Sequence, residues 1–202
     1  MIGKSPDMKN NTMLDQLLHY DTELFLYLNN LGSPAWDGFW LTYTKKTLWI
    51  PFYALLLFLI YREWGKKPIL VTVALVALMI VFTDQITNLF KYGFERLRPC
   101  HVEALMGKMR VVREGCGGWY GFFSGHASNS MAAAIFAGLM LRKTSKYIIY
   151  GLVIWAMAMG YSRIYIGVHY PLDVVCGMLF GGFVGLLFYK LNLYVINMKT
   201  TS

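Results

Sequence analysis

Between Lys67 and Asp84 the chain carries no charged residue, and further uncharged, mostly apolar runs occupy 48–61, 127–141, 147–162 and 174–189. An α-helix needs about 20 predominantly apolar residues to cross a bilayer. In lipid every backbone N–H and C=O must find a partner within the chain, which a helix provides. The expected fold is therefore an all-α integral membrane protein, a bundle of five transmembrane helices. The spans are expected at Leu48–Tyr61 with an extension back into 36–47, then at about 68–90, 127–141, 147–162 and 172–196. With 56% hydrophobic and only 15% charged residues among 202, the chain does not read as a soluble domain.

The segment before these runs is different. Residues 12–30 set Leu14, Leu17, Leu18, Leu24, Phe25 and Leu28 among Asp15, His19, Asp21 and Glu23. Such charges make a crossing costly. The segment reads as an amphipathic helix lying in the interface, with a sixth, tilted span as the alternative. Gly32, Ser33 and Pro34 end it. Trp36, Trp40 and Trp49 suit an aromatic belt. The chain thus divides into a polar N-terminus with an interfacial helix over 1–46 and a transmembrane domain over 47–202. No cleavable signal sequence is expected, because the first ten residues are polar and charges interrupt the first apolar stretch.

Three short motifs lie at the ends of these spans. Lys91 is followed after six residues by Arg98-Pro99. Ser124-Gly125-His126 precedes the third span. Arg163 is followed after five residues by His169 and after three more by Asp173. Counting crossings puts all three on one side of the membrane. The other side carries two short loops, with Arg62, Lys66 and Lys67 in one and Arg142, Lys143 and Lys146 in the other. Short loops dense in Lys and Arg stay in the cytoplasm, so the motif side is expected to face outward.

These residues suit phosphoryl transfer, which is mostly positioning and electrostatic stabilisation. Lys91, Arg98 and Arg163 can hold phosphate oxygens, the arginines through two parallel bonds each. Ser124 and Gly125 stand where a helix begins, and exposed N–H groups there can point at an anion. His169 is the candidate nucleophile. Asp173, four residues on, can fix its tautomer and leave the other ring nitrogen free. His126 can protonate the departing oxygen and later activate water. The net charge of +8 also favours anionic lipid or phosphate as partner.

With these motifs the chain resembles the type 2 phosphatidic acid phosphatase (PAP2) superfamily, over 84–176 by motif and about 47–196 by helix layout. The resemblance implies a membrane lipid phosphatase, a hydrolase that needs no metal or other cofactor and forms a phosphohistidine at His169. It assigns phosphate binding to Lys91, Arg98, Ser124, Gly125 and Arg163, leaving-group protonation to His126 and orientation of His169 to Asp173. Phe123 departs from the family, which usually has Pro before Ser-Gly-His. The change costs rigidity in the phosphate loop rather than chemistry. By size and first helix the chain is similar to small bacterial undecaprenyl-diphosphate phosphatases, so undecaprenyl diphosphate is the first choice of substrate. Phosphatidylglycerophosphate and lipid A are the alternatives. The expected location is a bacterial inner membrane, with the site facing the periplasm or exterior. The partners are the bilayer and a phosphorylated lipid, and no nucleic acid. Two competing classes share the inventory. Soluble vanadium haloperoxidases are opposed by the apolar spans. A non-catalytic anion-binding or transport protein has no use for His126, His169 and Asp173.

Four further features stand beside the motifs. Asp84, Asn88 and Lys91 share a helix face, so Asp84 either holds Lys91 or Arg98 from behind or is simply hydrated. His101 reads as an ordinary loop histidine. Cys100 and Cys116 share an outward loop where they can pair; no close Cys or His pair has metal-ligand spacing. Gly177, Gly181 and Gly185 repeat every four residues and permit close helix approach, within the bundle or in a dimer.

Overall fold

The structure, a computed structural model, describes residues 12–200; the first ten residues of the polar N-terminus lie outside them. Seven α-helices are present among these residues: α1 (Met13–Asn30), α2 (Pro34–Tyr43), α3 (Ile50–Trp64), α4 (Lys66–Phe94), α5 (Gly125–Met140), α6 (Ile148–Tyr165) and α7 (Pro171–Thr200). Three of them, α4, α6 and α7, are long and apolar enough to cross a membrane by length and composition. The protein is an all-α integral membrane protein.

Local chemistry explains the helix ends. Thr12 opens α1 with a reciprocal cap: its hydroxyl accepts from Asp15 N at 3.2 Å, and Asp15 Oδ2 accepts from Thr12 N at 3.0 Å. At the other end of α1, Asn29 is fully buried. Its amide donates to the carbonyls of Arg110, Ile164 and Tyr165 at 2.9–3.1 Å, and its oxygen accepts from Arg110 N at 2.7 Å. With Phe25 also fully buried, α1 is docked on the end of α6 and on the loop beside it.

The backward extension of the first span into 36–47 does not form. Helix α2 stops at Tyr43, Lys45 is extended, and a short 3₁₀ turn over Lys46–Trp49 leads into α3. Pro51 gives the reason, since within a continuous helix its ring would clash with the carbonyl four residues back. The break lets Trp49 Nε1 donate to the Tyr43 carbonyl at 2.7 Å and Tyr43 donate to the Trp155 carbonyl at 3.0 Å. The three tryptophans of the expected belt differ in their surroundings. Trp36 is 60% exposed, whereas Trp40 packs edge-on against Tyr161 and tilted against Tyr165, and Trp49 packs edge-on against Trp155. The two inward rings serve packing.

The bundle is centred on α5, which packs on both α6 and α7. The glycine repeat makes the α5–α7 contact. A β-carbon on Gly177 would stand 2.6 Å from the Ser124 carbonyl oxygen and one on Gly185 2.5 Å from that of Ala132, while one on Gly181 would overlap the Ser128 carbonyl. At the end away from the motifs the two basic loops meet. Thr144 N donates to Glu63 Oε2 at 3.2 Å, and Trp64 Nε1 donates to the Met140 carbonyl at 3.0 Å. Gly181→Val should drive α7 off α5 and cost about 2 kcal/mol by overpacking. Thermal unfolding in detergent will show the lowered midpoint, and activity should fall with it because the same contact carries the site.

Candidate active site

The three motifs converge at the end of the bundle where α4 finishes and α5 and α7 begin. Ser124 N donates to the Asp173 carbonyl at 2.9 Å, so the second and third motifs are joined through backbone. Ser124 is the buried N-cap of α5. A β-carbon on Gly125 would lie 3.8 Å from Lys91 Nζ, which places the first motif's lysine directly over the start of α5. The glycine leaves that approach open.

Arg98 is held by the loop that follows it. Its Nε donates to the Tyr120 carbonyl at 3.1 Å and its NH1 to the Cys116 carbonyl at 2.8 Å. Backbone pairing supports this, with Arg98 N on the Trp119 carbonyl at 3.0 Å and Gly121 N on the Arg96 carbonyl at 2.8 Å. Cys100 and Cys116 form a disulfide with Cα atoms 5.9 Å apart, and so tie the two ends of this loop together. Phe123, where the family usually has Pro, is buried with its ring 5.1 Å from both Phe90 and Phe180. Aromatic packing anchors the segment leading to Ser124 in place of a fixed backbone angle.

Arg163, in the last turn of α6, is 3% exposed. One terminal nitrogen donates to the Thr44 hydroxyl, and its Nε is buried with no protein partner. A buried guanidinium with an open donor is suited to an anion. His169 stands in the α6–α7 connection, 2% exposed, with Nδ1 3.3 Å from Asp173 Oδ2. Gly121 lies beside the ring, where a β-carbon would stand 3.5 Å from Nδ1. Burial, reinforced by Arg163, Arg98 and Lys91, holds its pKa well below that of an ordinary histidine. The ring is therefore neutral at pH 7. With Nδ1 turned to Asp173, the lone pair of a neutral ring lies on Nε2. His126 is in the first turn of α5, within the field of Arg163, Lys46, His169 and Lys91.

Asp84 accepts from Asn129 Nδ2 at 2.7 Å and contributes an attractive field at Lys91. It acts on Lys91 through space while its hydrogen bond holds α4 to α5. His101 is stacked on Trp119, with ring centroids 4.4 Å apart. Sequence reasoning passed over Arg96, Asp21 and Lys46. Arg96 donates to Asp173 Oδ1 at 2.7 Å and to Asp21 Oδ2 at 2.6 Å. It lies inside the first motif, but nothing in the spacing separates it from a loop arginine.

A cavity of about 340 Å³ opens from His126, Lys46 and Asp84 between α3, α4 and α5. Beyond this polar end its walls are apolar, including Leu56, Ile60, Val76, Met79 and Phe136. The family model for the PAP2 superfamily matches residues 69–196. The chain belongs to the PAP2 superfamily. A lipid A 4'-phosphatase of Bacteroides thetaiotaomicron is 39% identical to it over 88% of this chain and 79% of that protein. An undecaprenyl-diphosphatase of Sulfolobus acidocaldarius is 30% identical over 86% of this chain and 79% of that protein. The fold is shared with a transmembrane PAP2 type phosphatidylglycerolphosphate phosphatase from Bacillus subtilis. That crystal structure aligns at TM-score 0.70 and 18% identity, over 90% of this chain and 88% of that chain. This PAP2 protein is a membrane lipid phosphatase, and hence a hydrolase.

Reducing the Cys100–Cys116 bridge should leave the helices folded but free the loop that holds Arg98. By the chain-entropy model a loop of this length loses roughly 3 kcal/mol. The expected result on adding a thiol reductant is a lower unfolding temperature together with a raised KM, both measurable in detergent.

Proposed function

We propose that this PAP2 phosphatase removes a phosphate monoester from lipid A, at the 4' position, through a phosphohistidine on His169. The carrying observation is the similarity to a lipid A 4'-phosphatase, at 39% identity over 88% of the chain. The sequence reading put undecaprenyl diphosphate first. That order is corrected, because the relative of that activity is the more distant one, at 30% identity.

Lys91, Arg98 and Arg163 hold the phosphate oxygens, helped by the N–H groups at Ser124 and Gly125 where α5 begins. His169 Nε2 attacks phosphorus. The P–N bond forms as the bond from phosphorus to the lipid oxygen breaks, and His126 gives that oxygen its proton. The Nδ1 proton stays on the ring, hydrogen-bonded to Asp173, which balances the positive charge the ring acquires. His126 then takes a proton from water, whose oxygen attacks phosphorus; the P–N bond breaks, its electron pair returns to His169 Nε2, and inorganic phosphate leaves. The apolar cavity at His126 supports a lipid rather than a soluble ester, since a hydrocarbon chain can lie between α3, α4 and α5 while the headgroup meets the cations.

The motif end faces the periplasm of a bacterial inner membrane. Two observations support this orientation: the opposite loops carry Arg62, Lys66, Lys67, Arg142, Lys143 and Lys146, and the disulfide lies at the motif end, which suits an oxidising compartment.

Phosphate release by purified protein from lipid A, undecaprenyl diphosphate, phosphatidylglycerophosphate and phosphatidic acid should be fastest with lipid A. Mass spectrometry should locate the loss at the 4' position. Undecaprenyl diphosphate as the faster substrate would restore the original order. Each long-chain lipid should outperform a water-soluble phosphate ester. His169→Ala should abolish turnover, whereas EDTA should leave wild-type activity intact; loss in EDTA with recovery on adding magnesium would overturn the three-cation mechanism.

A further inference from the structure

The carboxylate beside the nucleophile is the inner end of a longer ionic chain. Asp173 is fully buried and both of its oxygens are engaged. Oδ2 faces His169 Nδ1 at 3.3 Å and accepts from Tyr170 N at 3.0 Å. Oδ1 accepts from Arg96 NH1 at 2.7 Å. The other terminal nitrogen of Arg96 donates to Asp21 Oδ2 at 2.6 Å, and the guanidinium lies 4.1 Å from the centroid of the Tyr170 ring. Asp21, on α1, spends its second oxygen on Leu172 N at 2.8 Å, in the first turn of α7.

Such an arrangement is costly to build. Asp21 is 7% exposed and Asp173 not at all. Charges removed from water lose most of their solvation, a loss offset only by good geometry and full hydrogen bonding. Here both conditions are met. Arg96 is not free to join the phosphate cradle, since both of its terminal nitrogens are committed to carboxylates. Its effect is to leave Asp173 one orientation. A carboxylate with Oδ1 pinned cannot rotate about its own bond, so Oδ2 stays in the line of the His169 ring. Asp21 in turn holds the guanidinium and the start of α7, which fixes the same geometry from the opposite side.

We propose that Arg96 and Asp21 are positioning residues of the phosphoryl-transfer step, acting on His169 through Asp173. α1 thereby contributes to turnover as well as to docking on the bundle. The inference rests on the reading of His169 as the nucleophile.

Purified full-length protein, mixed with lipid A carrying a radiolabelled phosphate and quenched in alkali, reports formation of the acid-labile, alkali-stable phosphohistidine. Arg96→Gln should slow its formation about 100-fold, the order of loss expected from misplacing a reacting group by about 1 Å. KM should stay within about twofold, because Lys91, Arg98 and Arg163 are untouched. Arg96→Lys should recover part of the rate. Asp21→Asn keeps an acceptor for Leu172 N but removes the charge, and should slow the step about tenfold. In the double variant it should add nothing to Arg96→Gln, since Asp21 acts through Arg96. Wild-type rates in Arg96→Gln overturn the proposal. Fully multiplicative losses in the double variant, or losses that follow KM and unfolding temperature alone, overturn it as well. If Arg96→Gln does not fold, the comparison of Asp21→Asn with Arg96→Lys carries the test through the same rate. Absence of any alkali-stable phosphoenzyme in the active wild type would instead overturn the nucleophile, and the kcat of the same variants would then read positioning separately.

Discussion

The close contact between α5 and α7 is the constraint on which the rest of the structure depends. Inside a membrane, lipid tails are as apolar as the side chains they touch, so helices associate through packing and hydrogen bonding. Gly177, Gly181 and Gly185 let the backbone of α7 lie against the carbonyls of Ser124, Ser128 and Ala132. The approach ends in a direct bond from Ser124 N to the Asp173 carbonyl. The second and third motifs, far apart in the chain, are thereby set at one distance. Lys91 then needs only to finish α4 beside Gly125 to complete the cluster.

The electrostatics follow from that geometry. Arg163, Arg98 and Lys91 act on His169, Arg163, Lys46 and Lys91 act on His126, and the nearby carboxylates are engaged by other partners. Asp173 is bound to Arg96 and faces His169, and Asp84 is bound to Asn129. The cations are left with capacity for an anion, and Arg163 Nε shows this most directly, being buried and unpartnered by protein. Arg98 depends on carbonyls of a loop closed by the Cys100–Cys116 bridge. The polar end of the apolar cavity adjoins His126, so in the proposed reaction the headgroup and the hydrocarbon chain would meet at this residue. That juxtaposition suits a substrate whose charged end and hydrocarbon end must be held in different media.

The N-terminal segment has a larger part than its composition suggests. Its charges argue against a crossing, and Leu14, Leu17 and Leu24 are exposed along α1. Yet Phe25 and Asn29 are fully buried, and Asp21 reaches Arg96 and the start of α7. An acid in an amphipathic helix is ordinarily read as its wet face. Here it faces inward, to a guanidinium that arrives from a loop far along the chain.

The sequence by itself determined the helical membrane fold, the approximate limits of the last five helices and the three motifs at one end, because hydrophobic runs and charge placement are local properties set by the bilayer. It also marked the glycine repeat and the two loop cysteines. Tertiary structure alone decided which groups share a bond. The break at Thr44–Lys45 was readable from Pro51, but the packing of Trp40 and Trp49 on α6 was not. Phe123 looked like a loss of rigidity until Phe90 and Phe180 were seen to enclose it. The same holds for Arg96 and Asp21, whose spacing carries no periodic signal. Their pairing exists because folding takes two charges out of water at one point, where each becomes the other's nearest source of solvation.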